Sequence, residues 1–220
     1  MIELEHIDLD QGAFALRDLT LEVPEGGYAV LMGASGSGKT TLLELVCGLR
    51  QPQAGRIIIG DHDMTNAVPA AREVGYVPQD GALFKTMTVR EQLAFALEIR
   101  RRPRAEIEAR VSEMAELLGI TPLLDRLPPG LSGGERQRTA MGRALSFRPK
   151  VLLLDEPLTA LDDETRERIM QLLQHVQQHT GVTTLHVTHN RQEAEALGTM
   201  GLKITQGRIE PLDLGKGDHA

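Results

Sequence analysis

Gly33-Ala34-Ser35-Gly36-Ser37-Gly38-Lys39-Thr40 fits the spacing G-x-x-x-x-G-K-[ST] of a phosphate-binding loop. Before it, Tyr28-Ala29-Val30-Leu31-Met32 is an apolar run of strand length; after it, Leu42, Leu43, Leu45, Val46 and Leu49 recur at helical spacing. The reading is a buried strand, a glycine-rich turn and the start of a helix. In that setting backbone N–H groups and an open helix end converge on one spot and favour an anion. Lys39 supplies a positive charge for the β- and γ-phosphates of a nucleotide, and Thr40 a hydroxyl for Mg²⁺. Gly33, Ala34, Ser35, Gly36, Ser37, Gly38, Lys39 and Thr40, with Thr41 beside them, are therefore the expected nucleotide-binding segment. An ordinary glycine turn ahead of a helix is the bland alternative, and the flanking strand and helix weigh against it.

The rest of the chain is consistent with one domain, or one domain with a subdomain, in its 220 residues. A formal net charge of −7 argues against a nucleic-acid surface, and with no tryptophan there is no evident platform for stacked bases. No apolar run is long enough to cross a bilayer, and residues 1–10 carry acids rather than a basic, apolar leader. Neither a signal peptide nor a transmembrane segment is expected, and the expected location is cytoplasmic. The single cysteine, Cys47, cannot form an internal disulfide and reads as a small core residue on the helix after the loop.

Residues 2–32 read as β-rich, with Pro24-Glu25-Gly26-Gly27 as a turn. Short strands are expected at 56–60 and 74–77. From Thr88 to about Leu118 the pattern becomes helical, opened by the capping box Thr88-Val89-Arg90-Glu91 and interrupted at Arg100-Arg101-Arg102-Pro103-Arg104. That arginine run reads as a solvated helix end and turn, or else as a contact for lipid head groups or a partner. Residues 121–130, with three prolines, read as a linker. Helix and strand then alternate again, ending in a hairpin around Gln206-Gly207 and a frayed tail from residue 215. The expected architecture is α/β: a phosphate-loop NTPase core with a largely parallel sheet, an N-terminal antiparallel β part and a helical insert.

Two further stretches carry chemistry. Val151-Leu152-Leu153-Leu154-Asp155-Glu156 is a buried strand ending in two acids. An Asp at the end of such a strand supports Mg²⁺ beside the loop threonine, and Asp155 takes that role. Glu156, one residue on, is placed to polarise an attacking water as general base. Leu131-Ser132-Gly133-Gly134-Glu135 ahead of a helical run offers a hydroxyl, backbone N–H groups and a helix N-terminus, a second anion cradle. One nucleotide needs only one cradle, so the second suggests service to a different copy; a glycine-rich helix cap is the bland alternative.

The set Gly33 to Thr40, Gln79, Leu131-Ser132-Gly133-Gly134-Glu135, Leu152 to Glu156, Thr159-Ala160-Leu161-Asp162 and His189 resembles the ATP-binding cassette (ABC) ATPases over nearly the whole chain. The resemblance implies one cassette domain, with a RecA-like core at about 1–84 and 146–214 and a helical subdomain at about 85–145. It implies ATP and Mg²⁺ as cofactors and a head-to-tail dimer with a second copy of the chain. Each ATP would lie between the phosphate loop of one copy and Ser132, Gly133, Gly134 and Glu135 of the other, with Asp162 across the interface. Thr40, Gln79 and Asp155 would serve the metal; Glu156, His189 and Gln79 would be catalytic, with His189 contacting the γ-phosphate and holding Glu156. The implied function is the ATP-hydrolysing subunit of a transporter, peripheral at the cytoplasmic face of the cell membrane, working with transmembrane permease subunits. The wording around Val77 to Phe84 and at 135–145 resembles the importers of molybdate- and sulfate-type anions, which adds a substrate-binding protein as a partner. The alternatives are a soluble, non-transport ABC ATPase acting on a macromolecular complex, a nucleotide switch and a small-molecule kinase; the last would not need Leu-Ser-Gly-Gly-Glu. Two departures stand out. No aromatic occupies Asp10-Gln11-Gly12, where the family stacks adenine, and Phe14 is the nearest substitute. Gly198-Thr199-Met200-Gly201 replaces a more polar segment, so packing differs there.

Overall fold

In the computed structural model, which describes residues 1–12, 14–159 and 161–215, the chain forms two sheets and six α-helices among the described residues. Ala160 of the Thr159–Asp162 motif and the tail beyond Gly215 lie outside them. Strands β1 (Ile2–Gln11) and β2 (Phe14–Val23) pair antiparallel, Ile2 opposite Val23 and Leu4 opposite Leu21. β3 (Tyr28–Met32) begins the second sheet and leads through the phosphate loop into α1 (Lys39–Cys47). β4 (Ala54–Ile59) and the two-residue β5 (His62–Asp63) return to the first sheet, whose order is β2-β1-β4-β5 and which is antiparallel throughout.

β6 (Val74–Val77) returns to the second sheet. Three helices follow: α2 (Val89–Ile99), α3 (Arg104–Leu117) and α4 (Gly133–Leu145). The chain closes with β7 (Val151–Asp155), α5 (Asp163–Thr180), β8 (Thr183–Val187), α6 (Arg191–Leu197), β9 (Met200–Thr205) and β10 (Arg208–Pro211). The second sheet runs β10-β9-β3-β8-β7-β6, parallel except for the β10 edge.

Alternation along the strands divides the interior in two. Ala29 and Leu31 of β3, Val151 and Leu153 of β7, and Leu185 and Val187 of β8 face one core. There Leu42, Leu43, Leu45 and Val46 of α1 are packed between the parallel sheet and the antiparallel one. Val30, Leu152 and Leu154 face the other core, shared with Leu93 of α2, Met114 of α3, Met141 of α4 and Ile169 of α5. The phosphate helix is thus buried on most sides, with Thr40 exposed and Thr41 and Glu44 partly so, which explains why its apolar residues are not confined to one narrow stripe.

The local signals in the sequence correspond to the ends of elements. Thr88 and Glu91 form a reciprocal capping box that opens α2, and Asn190 caps α6. The arginine run lies between α2 and α3. The proline-rich linker forms two 3₁₀ turns, Thr121–Leu123 and Pro128–Gly130, and buries Leu123 and Leu124. Cys47 is buried, and burial pushes its thiol pKa up. The segment at 198–201 is explained by its small residues. A Cβ at Gly201 would strike the Leu212 carbonyl and one at Gly198 would meet Leu214, so the closing strand and Leu214 lie directly against the backbone. Thr199 hydrogen-bonds the Tyr28 backbone on both sides, through Tyr28 N–H to Thr199 Oγ1 at 3.0 Å and Thr199 N–H to Tyr28 O at 2.8 Å.

Sheet register collects the site. Leu31, Val187 and Asp155 lie on one rung of β3, β8 and β7, and Val77 pairs Leu154 one rung back. The phosphate loop, Thr188-His189, Glu156 and Pro78-Gln79 therefore all emerge at the C-terminal edge of the parallel sheet, where open α/β sheets bind ligands.

Candidate nucleotide site

The phosphate loop closes on itself through Ser37 N–H to Ala34 O, 3.2 Å. Gly36 and Gly38 have φ of +76° and +98°, a region that suits glycine. Gly38 is the N-cap of α1, so no side chain caps this helix, and no acidic residue sits in its first turn. The first N–H groups of α1 are left for an outside acceptor, and the helix dipole favours an anion there. The buried Ser37 Oγ also has no hydrogen-bond partner. Lys39 is only 6% exposed and curls back over the loop, donating to Gly33 O and Ala34 O, each at 3.0 Å. A concentrated set of donors thus faces the space in front of α1, which fits a polyphosphate.

Thr40 Oγ1 lies 3.3 Å from Asp155 Oδ1, and Tyr76 donates its hydroxyl to Asp155 Oδ2 at 3.3 Å. Burial raises the Asp155 pKa, and the two hydroxyls oppose that shift. Burial also raises the Tyr76 pKa, so the tyrosine remains a donor. Among the described residues no group of three His, Cys, Asp or Glu side chains could hold a metal alone. One hydroxyl and one carboxylate instead suit a hard cation that takes its other ligands from phosphate oxygens and water, the habit of Mg²⁺.

Glu156 follows the end of β7 with φ +46°, left-handed backbone for a residue with a side chain. It is held in place by its N–H to Val187 O at 2.9 Å, Thr159 Oγ1 to Oε2 at 3.1 Å, and His189 Nδ1 at 3.1 Å from Oε2. Lys39 Nζ stands 3.8 Å from Oε1. The two acids at the end of one strand are therefore divided between tasks: Asp155 turns back to Thr40, and Glu156 faces His189.

An open cleft of about 400 Å³ joins the parts, lined by Ser35, Gly36 and Gly38 to Thr41 of the loop and by Gln11, Phe14, Gln79 and Glu156. Gln79 is exposed at this cleft. The Phe14 ring packs on Gly38, where a Cβ would collide with it. The loop after Gln79 is braced from two helices. Arg143 of α4 donates to Ala82 O at 2.8 Å and Gly81 O at 3.3 Å, while Gln92 of α2 donates to Phe84 O at 2.7 Å. The bracing role of Arg143 and Gln92, and that of Tyr76 on Asp155, are not evident from spacing because their partners are distant in sequence or on the backbone.

Ser132, Gly133, Gly134, Glu135 and Asp162 are not among the residues that line this cleft. Ser132 caps α4 in a second capping box, with Glu135 N–H to Ser132 Oγ at 3.3 Å and Ser132 N–H to Glu135 Oε2 at 2.6 Å. The Gly133 and Gly134 N–H groups, at the first two helical positions, have no acceptor within their own helix. These residues lie against the start of α5: a Cβ at Gly134 would meet Thr165, and one at Gly133 would touch Leu161. Asp162 caps α5, accepting Thr165 N–H at 3.0 Å, and that N–H is the main cause of its lowered pKa.

The family model described as ABC transporter matches residues 16–159. The chain is 43% identical over 209 residues to the molybdate/tungstate import ATP-binding protein WtpC of Thermococcus kodakarensis, covering 95% of this chain and 63% of that protein. It is 44% identical over 210 residues to the sulfate/thiosulfate import ATP-binding protein CysA of Thermosynechococcus vestitus, covering 95% and 62%. It thus spans a little under two thirds of the length of these curated relatives. A solved structure described as a dimeric post-hydrolysis state of the ATP-binding cassette MJ0796, bound to ADP and Pi, matches with a TM-score of 0.84 and 30% identity. That match covers 97% of this chain and 99% of that one. Two sheets with a buried phosphate helix, strand ends that gather the loop and the acids, and relatives alike over nearly the whole chain lead to one assignment: this chain belongs to the ABC transporter family.

Proposed function

We propose that the chain is the ATP-hydrolysing subunit of a transporter that imports an oxyanion of the molybdate or sulfate type. It would sit at the cytoplasmic face of the membrane and act with permease subunits and a substrate-binding protein. The observation that carries the proposal is the second cradle. Ser132, Gly133 and Gly134 offer an uncapped pair of N–H groups and a helix N-terminus, yet they stand apart from their own chain's phosphate loop. In a head-to-tail pair each cradle covers the other copy's nucleotide, with Asp162 at the seam.

Within that pair the residues divide the work. The loop amides and Lys39 hold the β- and γ-phosphates, and Phe14 offers an aromatic face at the rim. Thr40, Asp155 and Gln79 would hold Mg²⁺, which when bound supplies charge neutralisation on the phosphate oxygens. Glu156 takes the proton of the attacking water, and His189 keeps Glu156 oriented while contacting the γ-phosphate. A site completed only by a second copy ties hydrolysis to closure and lets ATP turnover drive a permease. The helical segment at about 85–145, with the Gln79 loop it braces, is the surface proposed to meet the permease. The relatives' names support the import direction and the anion class.

Ser132→Arg tests the shared site. It is expected to abolish hydrolysis while leaving ATP binding by the free monomer near that of the unmodified chain, measured by equilibrium titration. Loss of monomer binding would place Ser132 in its own chain's site and overturn the head-to-tail reading.

A further inference from the structure

Glu193, on α6, is a carboxylate only 3% exposed, and nothing in the proposed chemistry uses it. Its Oε2 accepts Thr188 Oγ1–H at 2.6 Å, and Thr188 Oγ1 accepts Asn190 N–H at 3.1 Å. Those two contacts hold the chain on either side of His189. Its Oε1 lies 3.8 Å from Arg166 Nε, which is buried without a hydrogen-bond partner. The rest of the Arg166 guanidinium faces the start of α5. Nη2 donates to Leu161 O at 2.9 Å and Nη1 to Asp163 Oδ1 at 2.5 Å, so the side chain holds both neighbours of Asp162. One carboxylate–guanidinium contact, with Glu193 and the Arg166 Nε buried, therefore stands between the turn that carries Asp162 and the turn that carries His189.

The separation is informative. At 3.8 Å the pair is about 1 Å longer than a charge-assisted N–H···O bond, and the orphaned Nε is the donor such a bond would use. A small shift of α5 toward α6 would convert the contact into a hydrogen bond, with no other donor to displace. We propose that Arg166 and Glu193 are positioning residues that transmit docking of a second copy at the Asp162 turn to His189, and through the 3.1 Å His189–Glu156 contact to the general base. The proposal rests on the reading of Asp162, His189 and Glu156 given above. It adds a route by which one copy's nucleotide site registers the other before hydrolysis. Burial, which pushes the Glu193 pKa up, is opposed by the Thr188 hydroxyl and the Arg166 charge, as befits a group held by those two partners.

The test is a double-mutant cycle on steady-state ATP hydrolysis with Arg166→Met, Glu193→Gln and the pair, plus Arg166→Lys and, in parallel, Glu156→Gln. Glutamine keeps the volume of Glu193 and an acceptor for Thr188, and lysine keeps the positive charge at 166, so the fold has support in both. Each of Arg166→Met and Glu193→Gln is expected to lower kcat about 10-fold or more, with KM and monomer ATP affinity within about 2-fold. The double variant is expected to be no slower than the slower single, and Arg166→Lys to recover part of the loss. Normal kcat in both single variants, or losses that multiply in the double, would overturn the coupling. So would a fall in ATP affinity and melting temperature in step with kcat, which marks a merely structural role. If Glu156→Gln is inactive while the Arg166 and Glu193 variants are normal, only the coupling has failed. If Glu156→Gln turns over normally, the reading of the site has failed and the coupling falls with it.

Discussion

His186 provides a measurable consequence of the buried layer beneath the site. The residue is fully buried on β8, with Nδ1 3.0 Å from the Tyr28 hydroxyl and Nε2 3.8 Å from Glu193 Oε2, and Nε2 makes no hydrogen bond. Burial pushes its pKa down from 6.5 to about 3. A histidine depressed in this way binds fewer protons folded than unfolded. Its contribution is fully present above the unfolded pKa and is lost as pH falls through the window from 6.5 toward 3. Between pH 7 and pH 5 the loss is about 2 kcal/mol, at about 1.4 kcal/mol per pH unit below 6.5. Asp155 and Glu193 have raised pKa values and act in the opposite sense, so the whole-protein curve is a sum. A variant isolates the histidine: His186→Asn keeps an acceptor for Tyr28 and has no proton to gain. Urea unfolding followed by circular dichroism suits a chain without tryptophan. The stability gap between the unmodified chain and His186→Asn should shrink by about 2 kcal/mol from pH 7 to pH 5. A gap constant to within about 0.5 kcal/mol would mean that His186 titrates normally in the folded chain and would refute the reasoning.

Two other positions give simple expectations. Arg72, 1% exposed, donates to the carbonyls of Leu45, Val46, Thr65 and Ala67, which closes the C-terminus of the phosphate helix α1. Arg72→Met leaves those acceptors buried and should cost on the order of 3 kcal/mol in denaturant unfolding; a loss below about 1 kcal/mol would show that water replaces the arginine. At Gly75 a Cβ would lie 2.6 Å from Ala144 O, backbone that cannot swing away. Gly75→Ala should therefore lower stability by about 1–3 kcal/mol and loosen β6 from α4, and an unchanged melting temperature would contradict that close approach.

Much of this was readable before the structure because the signals are local. The phosphate loop is contiguous, an apolar strand precedes it and leucines at helical spacing follow it, and Thr88 and Ser132 are caps whose partners lie three residues away. Asp155 and Glu156 follow from an apolar strand that ends in acids. The placement of β3 between β9 and β8, which brings His189 between the loop and the acids, comes from pairings of residues more than 150 apart and leaves no trace in periodicity. The left-handed backbone at Glu156 is a tertiary imposition, since nothing about glutamate favours it. Arg72 and Arg166 stand in no motif of the sequence, and Arg143 stands in the 135–145 stretch only as family-like wording. Each instead donates to backbone carbonyls of a distant or adjoining turn, and acceptors of that kind cannot be recognised from side-chain identity. The absence of an aromatic at 10–12 has its structural counterpart in Phe14, whose ring covers Gly38 from the start of β2.

If two copies complete each nucleotide site, sedimentation velocity of Glu156→Gln with and without Mg-ATP, alongside turnover of the unmodified chain, should show it. The expected result is a monomer without nucleotide, a dimer with saturating Mg-ATP, and little or no hydrolysis by the variant. A Glu156→Gln chain that stays monomeric with Mg-ATP bound, while the unmodified chain hydrolyses ATP at the same concentration, would contradict it.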